Sequence, residues 1–264
     1  MTLADIPRRI SLLGSSFTRL SFDEVVAATI EKAQRREPGY VCVSNVHTTM
    51  MGFFDSSYRK ITNESTFSVP DGQPIRWAMG LAGGYRQERV RGPSLMRVIC
   101  DRGRTHGLRH YLYGGSPEAL TALEEKLKHH YPGILIVGAE SPPYREPTLD
   151  ETRATVERIH SSGANIVWVG LGAPKQEKWM WDRRQEVQAM MMGIGAAFDL
   201  LAEKIPEAPP WMQVLGLEWF YRFLREPRRL WRRYIIYNPL FLVLISAQLF
   251  FLLLFRSRRG ARGA

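Results

Sequence analysis

Residues 165–177 read Asn-Ile-Val-Trp-Val-Gly-Leu-Gly-Ala-Pro-Lys-Gln-Glu, and this stretch decides the fold. A short apolar run ending at a glycine reads as a β-strand, and the glycine turn with the polar residues behind it reads as the start of a helix. The same grammar recurs outward along the chain. RISLL (9–13), YVCVS (40–44), STFSV (65–69), RHYLYG (109–114), GILIVG (133–138) and AMMMGIG (189–195) read as further strands, with amphipathic stretches between them. Ser116-Pro117-Glu118 is the clearest helix start, a serine cap followed by proline at the first helical position and an acid in the first turn, and its helix runs to about His130. This alternation predicts an α/β fold, a Rossmann-like mostly parallel sheet with helices on both faces. Ligands in such sheets sit beyond the carboxyl ends of the strands, so function is expected just after each strand.

A chain of 264 residues with 45% hydrophobic content can bury a full core. The N-terminal MTLADIPRRI, with Asp5, Arg8 and Arg9, lacks the apolar stretch of a secretory signal, which predicts a cytoplasmic catalytic part. Cys42 and Cys100 lie in apolar contexts without metal-ligand or CxxC spacing and read as buried thiols. Net charge is +10, but residues 204–264 carry eleven Lys and Arg against three Glu, a surplus of eight, so the body is nearly neutral. That distribution suits an anionic membrane surface or lipid diphosphates and argues against nucleic acid as a partner.

Pro206, Pro209 and Pro210 mark a boundary, dividing residues 1–204, a compact α/β catalytic domain, from residues 205–264, a basic, aromatic and hydrophobic appendage. Pro210 is expected to open one helix, WMQVLGLEWFYRFLRE, that runs until Pro227 interrupts it. Arg222, Arg225, Arg229 and Arg232 recur at spacings of three and four, with Trp219, Phe223, Trp231 and Tyr234 nearby. Residues 235–255 are apolar and, as a helix of 21 residues, measure roughly 31 Å, close to a membrane core of about 30 Å. Asn238-Pro239 near the start, Gln248 inside and RSRRGAR after it favour a segment embedded from the cytoplasmic face over one that spans. The plainer alternative is a soluble helix buried in a core or a dimer interface.

Four clusters that follow strands can carry chemistry. In Ser44-Asn45-Val46-His47-Thr48, Asn45 and Thr48 can hydrogen-bond a ligand or cap a helix. In Pro70-Asp71-Gly72-Gln73, Asp71 can act as a general base or cap the next helix, with Gln73 beside it. Gly170-Leu171-Gly172-Ala173-Pro174-Lys175-Gln176-Glu177 fits a phosphate-binding turn but lacks the third glycine of the dinucleotide fingerprint. Gly193-Ile194-Gly195-Ala196-Ala197-Phe198-Asp199 repeats the logic with an aspartate that reads as structural. No Asp-x-Asp pattern that would hold a metal between donor phosphates occurs; no metal site and no cofactor is expected, and Arg89, Arg91 and the arginines of the tail are the available cations.

Taken in order, SNVHT, PDGQP, ERVRG, GLGAPKQE, GIGAAFD, AP-x-W and LEWFYRFLREPRRLWRRY resemble the WecG/TagA/CpsF family of glycosyltransferases over roughly residues 40–242. The resemblance implies metal-independent, inverting transfer from a UDP-sugar, often UDP-N-acetylmannosamine or a uronic acid, to an undecaprenyl-diphosphate-linked saccharide in cell-surface polysaccharide assembly. It further implies a catalytic base at Asp71 and substrate contacts from Asn45, Arg89 and Gln176; Thr48, Gln73, Gly172, Lys175 and Glu177 are expected to bind substrate from their places in the strand-end clusters. Arg222, Arg229 and Arg232 would then meet the acceptor diphosphate. The chain departs from the family pattern at Val43, Ser94, Glu203 and Glu207, where threonine, aspartate, glycine and arginine are usual. Two other classes compete with the transferase: a Rossmann-like nucleotide-sugar oxidoreductase or epimerase, and a non-catalytic lipid-binding scaffold at the membrane surface.

Overall fold

The computed structural model describes residues 9–260, with side chains through Leu254; Asp5, Arg8 and the side chains of the arginine-rich end from Arg256 lie outside the described residues. Eight strands are present: β1 (Arg9–Leu12), β2 (Ser15–Thr18), β3 (Gly39–Ser44), β4 (Phe67–Pro70), β5 (Arg109–Gly114), β6 (Leu135–Glu140), β7 (Ile166–Gly170) and β8 (Met190–Gly193). Six of them form one sheet in the order β4-β3-β8-β7-β5-β6, every neighbouring pair parallel. The period-two geometry of a strand then sorts side chains between two faces. Val41, Val43, Leu112, Trp168, Met190 and Met192 enter one apolar cluster, while Tyr40, Cys42, Tyr111, Tyr113, Val167, Val169 and Met191 enter the other. Both thiols are buried, as their contexts predict.

The helix expected after Ser116 spans Pro117–His130, and the serine hydroxyl accepts the Ala119 amide at 3.2 Å. The run RISLL does form a strand, but outside the main sheet. It pairs antiparallel with β2 through a two-residue turn at Leu13 and Gly14, both with positive φ, so the chain doubles back before it can join the parallel order.

Two expectations about the tail are corrected. The stretch after Pro210 is two helices, Pro210–Val214 and Glu218–Arg225, because Gly216 takes a φ of 76° and ends the first. Asn238-Pro239 does not interrupt the long segment: a π-helical turn, Arg232–Tyr237, leads directly into the helix Asn238–Gly260. Pro239 lacks an N–H and its ring crowds the preceding turn, and a widened turn is one way a helix absorbs that change.

By length and composition the run Pro227–Leu254 could cross a membrane. One stripe of it is nevertheless committed to the body of the protein. Phe241 and Ile245 are buried with Leu12, Phe17, Val46, Met50, Ile75 and Met79, whereas Leu242, Val243, Phe250, Phe251 and Leu253 are exposed. Gln248, anomalous in an apolar segment, meets the hairpin: its Oε1 accepts the Leu13 amide at 2.7 Å and its Nε2 donates to the Ser11 carbonyl at 2.8 Å. Because this helix seats a nearly fully buried aromatic ring on the body, Phe241→Ala should cost about 3–5 kcal/mol. Denaturant unfolding measures the loss, and faster amide exchange confined to the C-terminal helix and its partner Gln73–Gly83 locates it.

Candidate active site

Parallel pairing of β3 with β4 sets Ser44 opposite Pro70, so the two strands end in phase and deliver Asn45 and Asp71 side by side. Each strand turns at once into a helix, Val46–Phe54 and Gln73–Gly83, whose N-termini favour an anion between them. Asn45 caps its helix with Oδ1, accepting the amides of His47 at 3.0 Å and Thr48 at 3.3 Å, and this leaves Nδ2 free at the crevice. The Thr48 hydroxyl is spent on the same cap: it accepts the Asn45 amide at 2.9 Å and bonds the Asn45 carbonyl, and Thr48 does not line the crevice.

The crevice is an open cleft of about 610 Å³, a figure that includes the solvent at its mouth. Its other wall comes from the C-terminal segment: Gly216, Glu218, Trp219, Arg222, Arg233 and Tyr234. Gln73 bridges the two walls, its Nε2 donating to the Val214 carbonyl at 3.5 Å. Arg89 donates from Nε to the Asp71 carbonyl, while its Nη2 lies 2.8 Å from Glu218 and 3.6 Å from the Asp71 carboxylate. Arg91 takes the second Glu218 oxygen at 3.1 Å and donates to Gln213 at 2.6 Å. Burial raises the Asp71 carboxyl above its ordinary range; Glu218 adds to this, and Arg89, Arg91 and Arg222 oppose it. Burial works the same way on Glu218, but there Arg89 and Arg91 prevail and hold the group below its ordinary value.

The tail arginines divide. Arg222 and Arg233 reach the crevice and form no ion pair with any carboxylate among the described residues, so two guanidinium groups stand ready for an anion. Arg229 is exposed and paired with Glu226 at 2.8 Å, and Arg232 is exposed and stacks over Trp231. Neither lines the crevice. The missed residues are Glu218 and Arg233. A spacing of three and four selects Arg232, but non-helical Glu226, between the helices Glu218–Arg225 and Pro227–Trp231, and the π-helical turn break that count, and the next arginine faces in instead. His47 also lines the crevice; burial, then the charge of Arg233, pushes its imidazole down to about 4, so it is neutral at physiological pH.

The glycine turn after β7 stands on the same carboxyl edge of the sheet, two strands from β3, with Gly172 close to Gly195 of the β8 turn. Gly172 has positive φ and open space around it, and Lys175 is exposed at the first position of the helix Lys175–Arg183. Gln176 and Glu177 face the opposite way and are buried: Gln176 accepts the Gly172 amide at 3.1 Å and donates to Glu177 at 2.8 Å. They brace the turn, outside the crevice of Asp71. Among the described residues no three His, Cys, Asp or Glu side chains converge as a metal site would require. The two unusual glutamates have local partners. Glu207 pairs with Arg97 at 3.1 Å across the junction of body and tail, and Glu203, at a positive φ of 57°, pairs with Lys126 at 2.5 Å.

In comparison with known proteins, residues 10–253 match the family described as "Glycosyl transferase WecG/TagA/CpsF family", from the hairpin through most of the C-terminal helix.

The brace beneath the glycine turn makes a stability prediction. Burial raises the Glu177 carboxyl, so the folded state favours its protonated form. That contribution is complete below the ordinary value of 4.5 and fades as pH rises through the raised one. Glu177→Gln, which cannot ionise, should therefore gain stability relative to the parent as pH rises from 4.5 to the raised value and hold a constant advantage above it; denaturant unfolding across the acid-to-neutral range would show parallel curves if the carboxyl were not strained.

Proposed function

The chain belongs to the WecG/TagA/CpsF family of glycosyltransferases of cell-surface polysaccharide synthesis, and we propose that it transfers a sugar, with inversion, from a UDP-sugar to a saccharide carried on a polyprenyl (undecaprenyl) diphosphate. One observation carries this reading: a carboxylate of raised proton affinity, Asp71, shares a crevice with two unpaired arginines, Arg222 and Arg233, that come from the membrane-seeking segment. Residues 205–264 act as the appendage that completes the site of the body, residues 1–204.

In this mechanism the acceptor hydroxyl gives its proton to Asp71 as its oxygen attacks the anomeric carbon, and UDP departs from the opposite face. Asn45 Nδ2 orients a sugar hydroxyl beside the base. The leaving diphosphate is an anion, and the open turn at Gly172, the amides that start the helix Lys175–Arg183 and the Lys175 ammonium suit it. Arg222 and Arg233 hold the acceptor diphosphate, so arginines supply the countercharge and the reaction proceeds without a divalent metal.

The protein works at the cytoplasmic face of the membrane. Its C-terminal helix lies in the interface with Leu242, Val243, Phe250 and Phe251 in lipid and its opposite stripe on the body; a helix pinned at Phe241, Ile245 and Gln248 has no free length with which to span.

A panel of UDP-sugars assayed with a short-chain lipid-diphosphate acceptor tests this reading. Asp71→Asn should lower kcat by roughly 10²–10⁴ with little change in acceptor KM. Since the ionised carboxylate is the active form and its pKa is raised, the acid limb of the parent's rate profile should fall off at a pH above the ordinary carboxylate value; full activity of Asp71→Asn would remove the base. Arg222→Ala and Arg233→Ala should each raise KM for the lipid acceptor about tenfold or more while leaving donor KM near the parent's, as expected for a lost charge-assisted contact of about 1.5–3 kcal/mol. Equal effects on both substrates would place these arginines elsewhere.

A further inference from the structure

Glu218 is not needed to bind an anionic substrate, yet it stands in the crevice wall with its two oxygens on two different arginines. Its position relative to Asp71 is informative. Arg89 has one terminal nitrogen, Nη2, between two carboxylates: at 2.8 Å from Glu218 it makes a strong charge-assisted bond, while at 3.6 Å from Asp71 it makes none. Both Arg89 and Glu218 are 15% exposed, so water screens the contact weakly. Arg89 is also tied through Nε to the carbonyl of Asp71 itself, which fixes it close to a carboxylate with which it keeps only the longer ion-pair contact of 3.6 Å.

We infer that Glu218, delivered by the C-terminal segment, is a positioning residue that draws the Arg89 guanidinium off Asp71 and so keeps that carboxylate free to take the acceptor proton. The inference rests on Asp71 being the base. An aspartate in a tight ion pair with arginine is a poor base, because the pair stabilises the ionised form that must be consumed. With Glu218 in place, the charges nearest Asp71 are two arginines, Arg89 and Arg91, matched by one competing carboxylate; Arg222 and Arg233 face the same carboxylate from the tail, and His47, lining the crevice, is neutral. Remove Glu218, and Arg89 loses its close carboxylate partner and can close on Asp71, while Arg91 keeps Gln213 at 2.6 Å and Glu207 at 3.9 Å.

Docking of the tail therefore does two things at once. It brings Arg222 and Arg233 for the substrate, and it frees the base. An undocked tail leaves Asp71 quenched by Arg89, so the body alone is a weak catalyst even toward acceptors that need no arginine clamp.

Rate profiles of the full chain with the short-chain acceptor test the inference. Glu218→Gln should move the acid limb of kcat down by about one pH unit and lower kcat near neutrality roughly tenfold, since an arginine now pairs with the base. Arg91→Gln should move the limb the other way, because Glu218 is then shared with Arg89 alone and Asp71 loses an opposing cation. Arg97→Gln, which breaks the Arg97–Glu207 contact at the same junction, should leave the limb in place. A loosened fold cannot produce shifts of opposite sign, so an unmoved limb in Glu218→Gln, or shifts of one sign in both variants, overturns the inference. If Glu218→Gln does not fold, Arg91→Gln decides by the direction of its shift. Should Asp71→Asn retain activity, the base assignment fails first and this inference with it, whereas an inert Asp71→Asn with unmoved limbs overturns the role of Glu218 alone.

Discussion

Everything in this molecule depends on six strands running the same way. Parallel pairing forces each strand to return by a crossover, which covers both faces with helices and leaves the carboxyl ends of all six on one edge. On that edge the register of β3 and β4 is the decisive detail: because Ser44 stands opposite Pro70, Asn45 and Asp71 emerge together and the two following helices point their N-termini at a common space. A slip of one residue would turn one of the two side chains away from the crevice.

The second half of the site is borrowed from the far end of the chain, and two kinds of contact hold it there. Near the crevice the seam is ionic and partly buried, Arg89 and Arg91 on Glu218 and Arg97 on Glu207. Farther along it is apolar, with Phe241 and Ile245 in the cluster that the hairpin shares with the first helices after β3 and β4. Glu207, which reverses the charge usual in the family, belongs to the first kind: a cluster of body arginines makes a carboxylate at that place favourable. The helix faces that remain uncovered are apolar, while the exposed arginines Arg225, Arg228, Arg229 and Arg232 stay in reach of water and anionic headgroups.

Much of this was legible in the residues. Short apolar runs ending at glycine or asparagine mark the main strands because a strand buried on both faces must be continuously apolar, and Ser116-Pro117-Glu118 marks its helix because capping chemistry is local. Asp71 and Asn45 were legible because strand ends in a parallel sheet are where ligands go. The tail resisted for the opposite reason. Which arginine faces the crevice depends on the non-helical conformation of Glu226 ahead of Pro227 and on a π-helical turn ahead of Pro239, each of which rotates every later side chain, and neither follows from a count of three and four. Gln176 and Glu177 illustrate another limit. Polar residues after a glycine turn look like ligand contacts in a sequence, but burial and each other's company show them to be a support beneath the turn. Gln248 counts in the sequence against a spanning helix, and in the fold it is the group that satisfies the backbone of the hairpin.

The bond between Gln248 and the hairpin turn also sets an order of events in time. It joins groups 235 and 237 positions apart, so neither contact can form until nearly all of the chain has left the ribosome. Synthesis proceeds from the N-terminus at about 5–20 residues per second, which gives the parallel sheet many seconds to form before the apolar helix appears. The sheet is therefore complete in sequence before the segment that supplies the second wall of the crevice has been made, and the cleft closes last.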